Sequence, residues 1–549
     1  MKTKESNESQ RLRPVENGRK RTIVFVLILA TATMSLGLVP VLQGQSNAVL
    51  PGQRAASACN PDGNQFNLEA PANPPLRGQF DESVAFLPNR AANGDDLVFG
   101  VARDFRILPL PFGTKFEVTP TDAFYVQRSH SNCTADLEGL IPSVPLLGTF
   151  PVPFGSPAVA ADPAHDAFFV ADLRFTINSD ITSVGVVKAT AARLLNSKAC
   201  PDGTEATPGV CFDAAALAES EPLNTLLFNP AIAVDQRSTG VGNGDVYVAV
   251  TLQNNAAKKI VPEIDIVACT NASLRCGQPT KVKVDVGTVD ALPWVQVRPD
   301  GVVSLSWENV FSQNGREVVQ MMFLTCTPNG APLPLTCNTP VVAAQPRTPA
   351  LGDAGDVPFV SSARPTHVHR LESDGKSVTT FLTYEQCDVL ATTLPTETPG
   401  HDFCPKDDVV VIFSTDGGNT WSRPEKVSTS PGQQFHAAMA LDTSTETVNI
   451  AYYSTENDLE KLRSQVFLAQ ILPGSTSANK PNRLTSNFYD APQFGSFFTG
   501  YGDYLSLAAG GSGKAGQSKV YVHFAGTTKG IYNGRPFPSV TNILALFEY

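Results

Sequence analysis

One short pattern returns along this chain at intervals of roughly 65–75 residues, and such a period limits the fold more than any other feature. Ser83-Val84-Ala85-Phe86-Leu87-Pro88, Pro157-Ala158-Val159-Ala160-Ala161-Asp162-Pro163 and Pro230-Ala231-Ile232-Ala233-Val234-Asp235 align with one another. Weaker copies follow at Val295–Asp300, Thr366–His369, Ala437–Asp442 and Tyr504–Ala508. Each is followed by a second run of strand formers: Leu97–Ala102, Ala167–Ala171, Val246–Thr251, Val302–Trp307, Val378–Tyr384, Val448–Tyr453 and Val520–Phe524. A third comes next, such as Val318–Leu324, Val466–Ile471 or Asn542–Phe547. Long amphipathic helical patterns are scarce, and the 43 Pro and 41 Gly supply turns. The chain therefore reads as all-β.

A repeat of this length is too long for a WD40 blade but suits a four-stranded antiparallel blade with generous loops. The fold expected is a single β-propeller over residues 64–549, with seven blades and six as the alternative count. The last repeat ends at Tyr549 without an outer strand. Gln65-Phe66-Asn67-Leu68-Glu69 is the segment available to complete it, closing the ring and covering an open edge.

One turn carries a sharper signature. Val409-Val410-Val411-Ile412-Phe413 runs into Ser414-Thr415-Asp416-Gly417-Gly418-Asn419-Thr420-Trp421, then Pro424-Glu425-Lys426-Val427. Asp and Asn side chains bond their own turn backbone, adjacent glycines allow positive φ, and the Trp closes the loop onto the core. The match to S-x-D-x-G-x-T-W resembles the Asp box (BNR repeat) of sialidase-like β-propellers. Its key positions are Ser414, Asp416, Gly418, Thr420 and Trp421.

The N-terminus divides into a basic stretch (1–21), an uncharged apolar segment Thr22–Leu42 and a linker (43–63). At 21 residues this uncharged, mostly apolar stretch is long for a signal peptide and just enough to span a bilayer. Ser46-Asn47-Ala48 offers a small-x-small cleavage site, so a signal peptide and a single transmembrane anchor both stand. Either way the basic flank stays inside and the remainder is exported. Without residues 1–48, which hold seven basic and three acidic side chains, the formal charge moves from −11 to −15. Such a domain repels phosphate backbones, so no nucleic-acid partner is expected.

All ten cysteines follow the apolar segment, and an even count in an exported chain reads as disulfides. Local pairs are Cys200 with Cys211, Cys269 with Cys276, Cys326 with Cys337 and Cys387 with Cys404. Cys59 with Cys133 would clasp the last blade to the first. Zinc is the rival reading, but C-x-x-C is absent and the seven histidines are scattered. No cofactor is implied; Asp353 and Asp356 are the residues that would serve a structural Ca²⁺, or are simply solvated.

In a propeller the first-to-second and third-to-fourth strand turns share one face, so the Asp box lies away from the expected site. The opposite loops supply Arg103-Asp104-Phe105-Arg106, Asp172-Leu173-Arg174, Glu308 with Arg316, Glu385-Gln386-Cys387-Asp388 and Glu456-Asn457-Asp458, with His436 and Tyr501-Gly502-Asp503-Tyr504 where blades begin. Sialidase-like enzymes hold a sugar carboxylate with three arginines, whose planar guanidinium suits bidentate binding, and attack with a Tyr. The resemblance then implies Arg106, Arg174 and Arg316 as the ligand-binding cluster. It implies Tyr504 or Tyr501 as nucleophile, Glu308 or Glu385 as its base, and Asp104 or Asp503 as acid. Phe105-Arg106-Ile107-Leu108-Pro109 departs from the family's F/Y-R-I-P motif by Leu108. The bland readings are interblade salt bridges for Arg106 and Arg174, a core aromatic for Tyr504, and satisfied buried polar groups for His436 and His367.

Two functions follow: an exported propeller that binds an extracellular glycan or protein through its channel face, or an exo-acting glycoside hydrolase of sialidase type. Non-reducing peptide mapping should recover Cys59 joined to Cys133; finding either cysteine in another bridge would remove that clasp.

Overall fold

Seven short strands, one from each repeat, stand around a common axis in the computed structural model. They are Leu76–Leu87, Val152–Asp162, Thr225–Val234, Thr288–Val297, Thr366–Leu371, Gln434–Asp442 and Ser506–Gly511. Each packs against the next, and the seventh packs back onto the first. The structure describes residues 76–549 apart from connecting segments, of which 143–151, 201–210, 347–363, 393–401 and 500–504 are among the longest. The apolar segment 22–42, the linker and Gln65–Glu69 lie outside the described residues.

Outward from each innermost strand the chain pairs antiparallel through its second, third and fourth strands. Blade 2 is Val152–Asp162, Ala167–Thr176, Ile181–Thr190 and Ala214–Pro222; blade 5 is Thr366–Leu371, Val378–Cys387, Asp407–Ser414 and Glu425–Lys426. The seven-blade, all-β expectation is what the chain forms. Among the described residues the one helix is Ala191–Asn196, and none is long and apolar enough to cross a membrane. Second and third strands sit between two neighbouring blades and are rich in buried apolar side chains. Val409–Ile412 and Thr447–Ser454 are buried throughout, as sheets covered on both faces require.

The ring closes through the sheet itself. Gly78 pairs in parallel with Val540 in Arg535–Glu548, the third strand of the last blade, while also pairing with Phe105. Blades 7 and 1 thus form one continuous seven-stranded sheet. Near the axis, Val84 N–H donates to Ser506 Oγ at 2.8 Å across the same seam.

On the Asp-box face, the third-to-fourth turns of blades 3, 4 and 6 reach the first-to-second turn of the preceding blade, and Tyr549 does so from the end of the third strand of blade 7. Asn271 Nδ2 donates to the buried Asp162 at 2.6 Å, and Ala331 N–H to Asp245 at 2.7 Å. Arg370 of blade 5 donates to the carbonyls of Leu472 and Ser475 of blade 6 at 3.1 and 2.9 Å. Tyr549 Oη donates to Asp442 at 2.8 Å. Two of these turns are disulfide loops, Cys269–Cys276 and Cys326–Cys337, and Cys200–Cys211 closes the same connection in blade 2. Cys387 is also disulfide-bonded; Cys404, Cys59 and Cys133 lie outside the described residues. Closing loops this short stabilises the fold by ~2–3 kcal/mol each, and such bonds persist in oxidising compartments.

In blade 5 the Asp box does the same job. Ser414 Oγ donates to Asp416 and accepts Gly418 N–H at 2.8 and 2.9 Å. Thr420 donates to Asp416 through both N–H and Oγ1, at 2.9 and 2.7 Å. Those bonds, the Thr420 hydroxyl foremost, hold Asp416 down at about 2. Trp421 Nε1 donates to Gly418 O at 3.0 Å, and its ring meets Phe323 of blade 4 edge-on at 5.1 Å. Gly418 has φ +95°, and a Cβ there would lie 2.2 Å from the Phe323 ring. Gly418→Ala should therefore lower stability by roughly 2–4 kcal/mol, combining overpacking with a strained backbone; urea denaturation measures it, and a loss below ~0.5 kcal/mol would contradict this contact.

Candidate functional site

Where the innermost strands begin, on the face opposite the Asp box, the ladder is repeatedly interrupted. Ser156, Asn229, Leu292 and His436 adopt φ of 52°, 54°, 57° and 52°, and the register shifts at each of them. Proline follows three of them, at 157, 230 and 293. A bulge of this kind re-aims the next side chains, here towards the axis. Residues of all seven innermost segments line one axial cavity, among them Ser83, Pro157, Trp294, Arg364, Thr366 and Ser506. Its volume of ≈ 30 Å³ has room for ordered water. Arg364 lies 6.0 Å from the Trp294 ring and is buried, and Trp294 Nε1 donates to His367 O at 3.1 Å.

Around this cavity the bulges are held by buried carboxyl groups of the preceding blade. Asp122 accepts Gly155 N–H at 3.0 Å. Glu385 accepts the N–H groups of His436 and Ala437. Burial raises Asp122 well above the usual carboxylate range, and the neighbouring Asp172 adds to it. Burial also pushes Asp172 up to about 6 against the pull of Arg174. Glu219 of blade 2, buried and hydrogen-bonded to Asp265 of blade 3, is pushed up to about 9. In blade 5 Asp407 is pushed up to about 7 by burial, and Glu385 rises well above its ordinary value through burial and Asp407.

Within this frame the expected site residues separate. Arg174 is 1 % exposed; its Nε donates to Asp172 at 2.8 Å and its Nη1 to Pro142 O at 2.9 Å. A Cβ on Gly185 would overlap its guanidinium. Glu308 and Glu385 are 1 % and 2 % exposed, at equivalent places in the second strands of blades 4 and 5. Asp104 and Arg106 stand in the strand Leu97–Pro109, opposite Gln79 and Arg77, and Arg316 opens the strand Arg316–Thr327 opposite Gln313. For these three only the backbone is described. Tyr501, Asp503 and Tyr504 lie outside the described residues, as do Asp353, Asp356 and the tips of the second-to-third strand loops. Among the described residues no cluster of three or more His, Cys, Asp or Glu could hold a metal.

Sequence reasoning missed Asp122, Glu219, Asp265, Asp407, Trp294 and Arg364. The recurrent Pro at 157, 230, 293 and 365 was the signal available for the bulges. Nothing in the pattern marked the carboxyl groups that meet them. Two of the histidines are held by hydrogen bonds across the seam between blades 4 and 5. His367 accepts or donates to Ser304 and Ser306 at 2.7 and 2.8 Å, and His369 contacts Ser304 at 2.6 Å. Burial pulls His367, His436 and His523 down to about 3.

No family model matches the sequence, and no curated protein matches it. Solved structures similar to this chain include a protein of unknown function from Dyadobacter fermentans DSM 18053, at 12% identity and TM-score 0.40, covering 74% of this chain and 98% of that one. A Hadza microbial sialidase matches at 9% identity and TM-score 0.39, over 79% and 74% of the two chains. The Penicillium chrysogenum alpha-L-arabinanase complexed with arabinobiose matches at 9% and 0.37, over 72% and 93%.

His523 stays neutral in the fold while the unfolded chain protonates it below about pH 6.5. Its contribution is therefore full above 6.5 and is lost as pH falls towards 3, at up to ~1.4 kcal/mol per pH unit. Denaturant titrations between those values should show a shallower acid decline for His523→Asn than for the parent chain; equal slopes would contradict a buried neutral imidazole.

Proposed function

We propose that this chain is an exported, noncatalytic propeller that presents its loop-bearing channel face to an extracellular glycan or protein. The observation that carries the reading is the placement of Arg174, Glu308 and Glu385. A carboxylate-binding arginine must offer free donors in a solvated pocket, yet Arg174 spends its guanidinium on Asp172 and a backbone carbonyl. A base that activates a nucleophile must reach it within hydrogen-bond distance, yet Glu385 is buried and accepts the backbone of the next blade. Beneath the loops the innermost strands leave an axial cavity of ≈ 30 Å³ between them. In this reading a ligand meets the loops that ring the axis. Export runs through the apolar segment Thr22–Leu42, as a cleaved signal or a retained anchor, and the disulfides fit that compartment.

The purified protein should release no fluorophore from a sialic acid conjugate and should retain partners on a glycan array or in a panel of extracellular proteins. Arg174→Ala should lower stability by ~3–5 kcal/mol, leaving Asp172 buried without its cation, and leave ligand affinity unchanged wherever the variant is folded. Turnover abolished by Arg174→Ala with folding intact would replace this reading with the exo-glycosidase.

A further inference from the structure

Glu385 and Asp407 occupy neighbouring strands at the loop end of blade 5, 2 % and 0 % exposed, and each borders the other's carboxyl group. Two carboxyl groups buried side by side cannot both ionise, so a proton stays between them. The same Glu385 accepts the N–H groups of His436 and Ala437, the two residues of the blade 6 bulge, and Ala437 lines the axial cavity. One protonated pair thus fixes both the seam between blades 5 and 6 and one wall of the axis. We propose that the Glu385–Asp407 pair is a proton-dependent clamp: with its proton it holds the His436–Ala437 bulge against blade 5, and without it the seam opens.

The charged surroundings favour a pair that responds to pH. Asp408 and Asp388 both face Asp407 and disfavour its ionised form. The lysines beside them are already committed. Lys406 binds Asp388 at 2.8 Å and Asp408 at 3.3 Å, and Lys426 binds the same two carboxylates. From blade 6 the facing titratable group is the His436 imidazole, kept neutral by burial. Among the described residues no cation therefore touches the pair itself. Both members hold their protons above the range of the unfolded chain, so the clamp is strongest at low pH. Its stabilisation falls as pH rises from the ordinary carboxyl range through about 7 and beyond. Asp122 under the blade 2 bulge has the same placement, but Arg103 and Arg174 stand beside it, which is why the blade 5–6 seam is the one singled out.

Amide hydrogen exchange on the full chain, corrected for intrinsic rates, tests this. Opening of Gln434–Asp442 should increase with pH between 5 and 9, by up to about tenfold per pH unit for each proton released. The second strand of the same blade, Thr447–Ser454, should not follow. Asp407→Asn supplies a donor that does not titrate and should keep Gln434–Asp442 protected across the range; Glu385→Gln is the second variant should the first not fold. Protection of Gln434–Asp442 that is independent of pH in the parent chain, or that falls equally in the folded variant, would overturn the clamp.

Discussion

The fold depends on one recurring contact, the end of a blade's third strand or the turn after it bonded into the first-to-second turn of the preceding blade, as in blades 3, 4, 6 and 7. A single four-stranded blade cannot bury both faces, so its apolar second and third strands are protected only while both neighbours stay in place. Asp162, Asp245, Arg370 and Asp442 receive or make these bonds on one side. The partners across each seam come from turns of unlike chemistry. A disulfide loop carries Asn271, another carries Ala331, and the C-terminal residue Tyr549 supplies a hydroxyl. What the ring requires is a rigid turn of the right reach, and the chain meets that need with an Asp box in blade 5 and with cystine in blades 2, 3 and 4.

The opposite face is organised by a different force. There the backbone must break register to bring the innermost strands to the axis, and each bulge leaves N–H groups that a β-ladder would have paired. Asp122 and Glu385 take them up. Because they do so away from water, their acid forms are favoured. The family resemblance implied a catalytic part for Glu385; in the fold its carboxyl group is buried and accepts the His436 N–H.

The repeat period and the apolar runs made the blades legible, since Val409–Ile412 can hardly be anything but a strand between two sheets. The turn staples were legible as well, because a cysteine pair eight or twelve residues long and an Asp box are local signatures. The site was not. Arg174 pairs with Asp172 only two residues away, and that proximity was in plain view; what could not be read was that Gly185 lies over the guanidinium and seals it. Asp122 meeting Gly155, or Glu219 meeting Asp265, joins residues more than thirty positions apart on different blades. No pattern along one repeat encodes which carboxyl group faces the next.

The sheet that joins blade 7 to blade 1 sets a schedule for biogenesis. Gly78 pairs with Val540, so a strand of blade 1 waits for one of blade 7. At typical synthesis rates of 5–20 residues per second that interval is roughly 25–90 s. Throughout it, the first blade carries an exposed strand edge that any other extended segment could occupy. The order of events is therefore constrained by topology: the seam between blades 7 and 1 can close only once Val540 has been made.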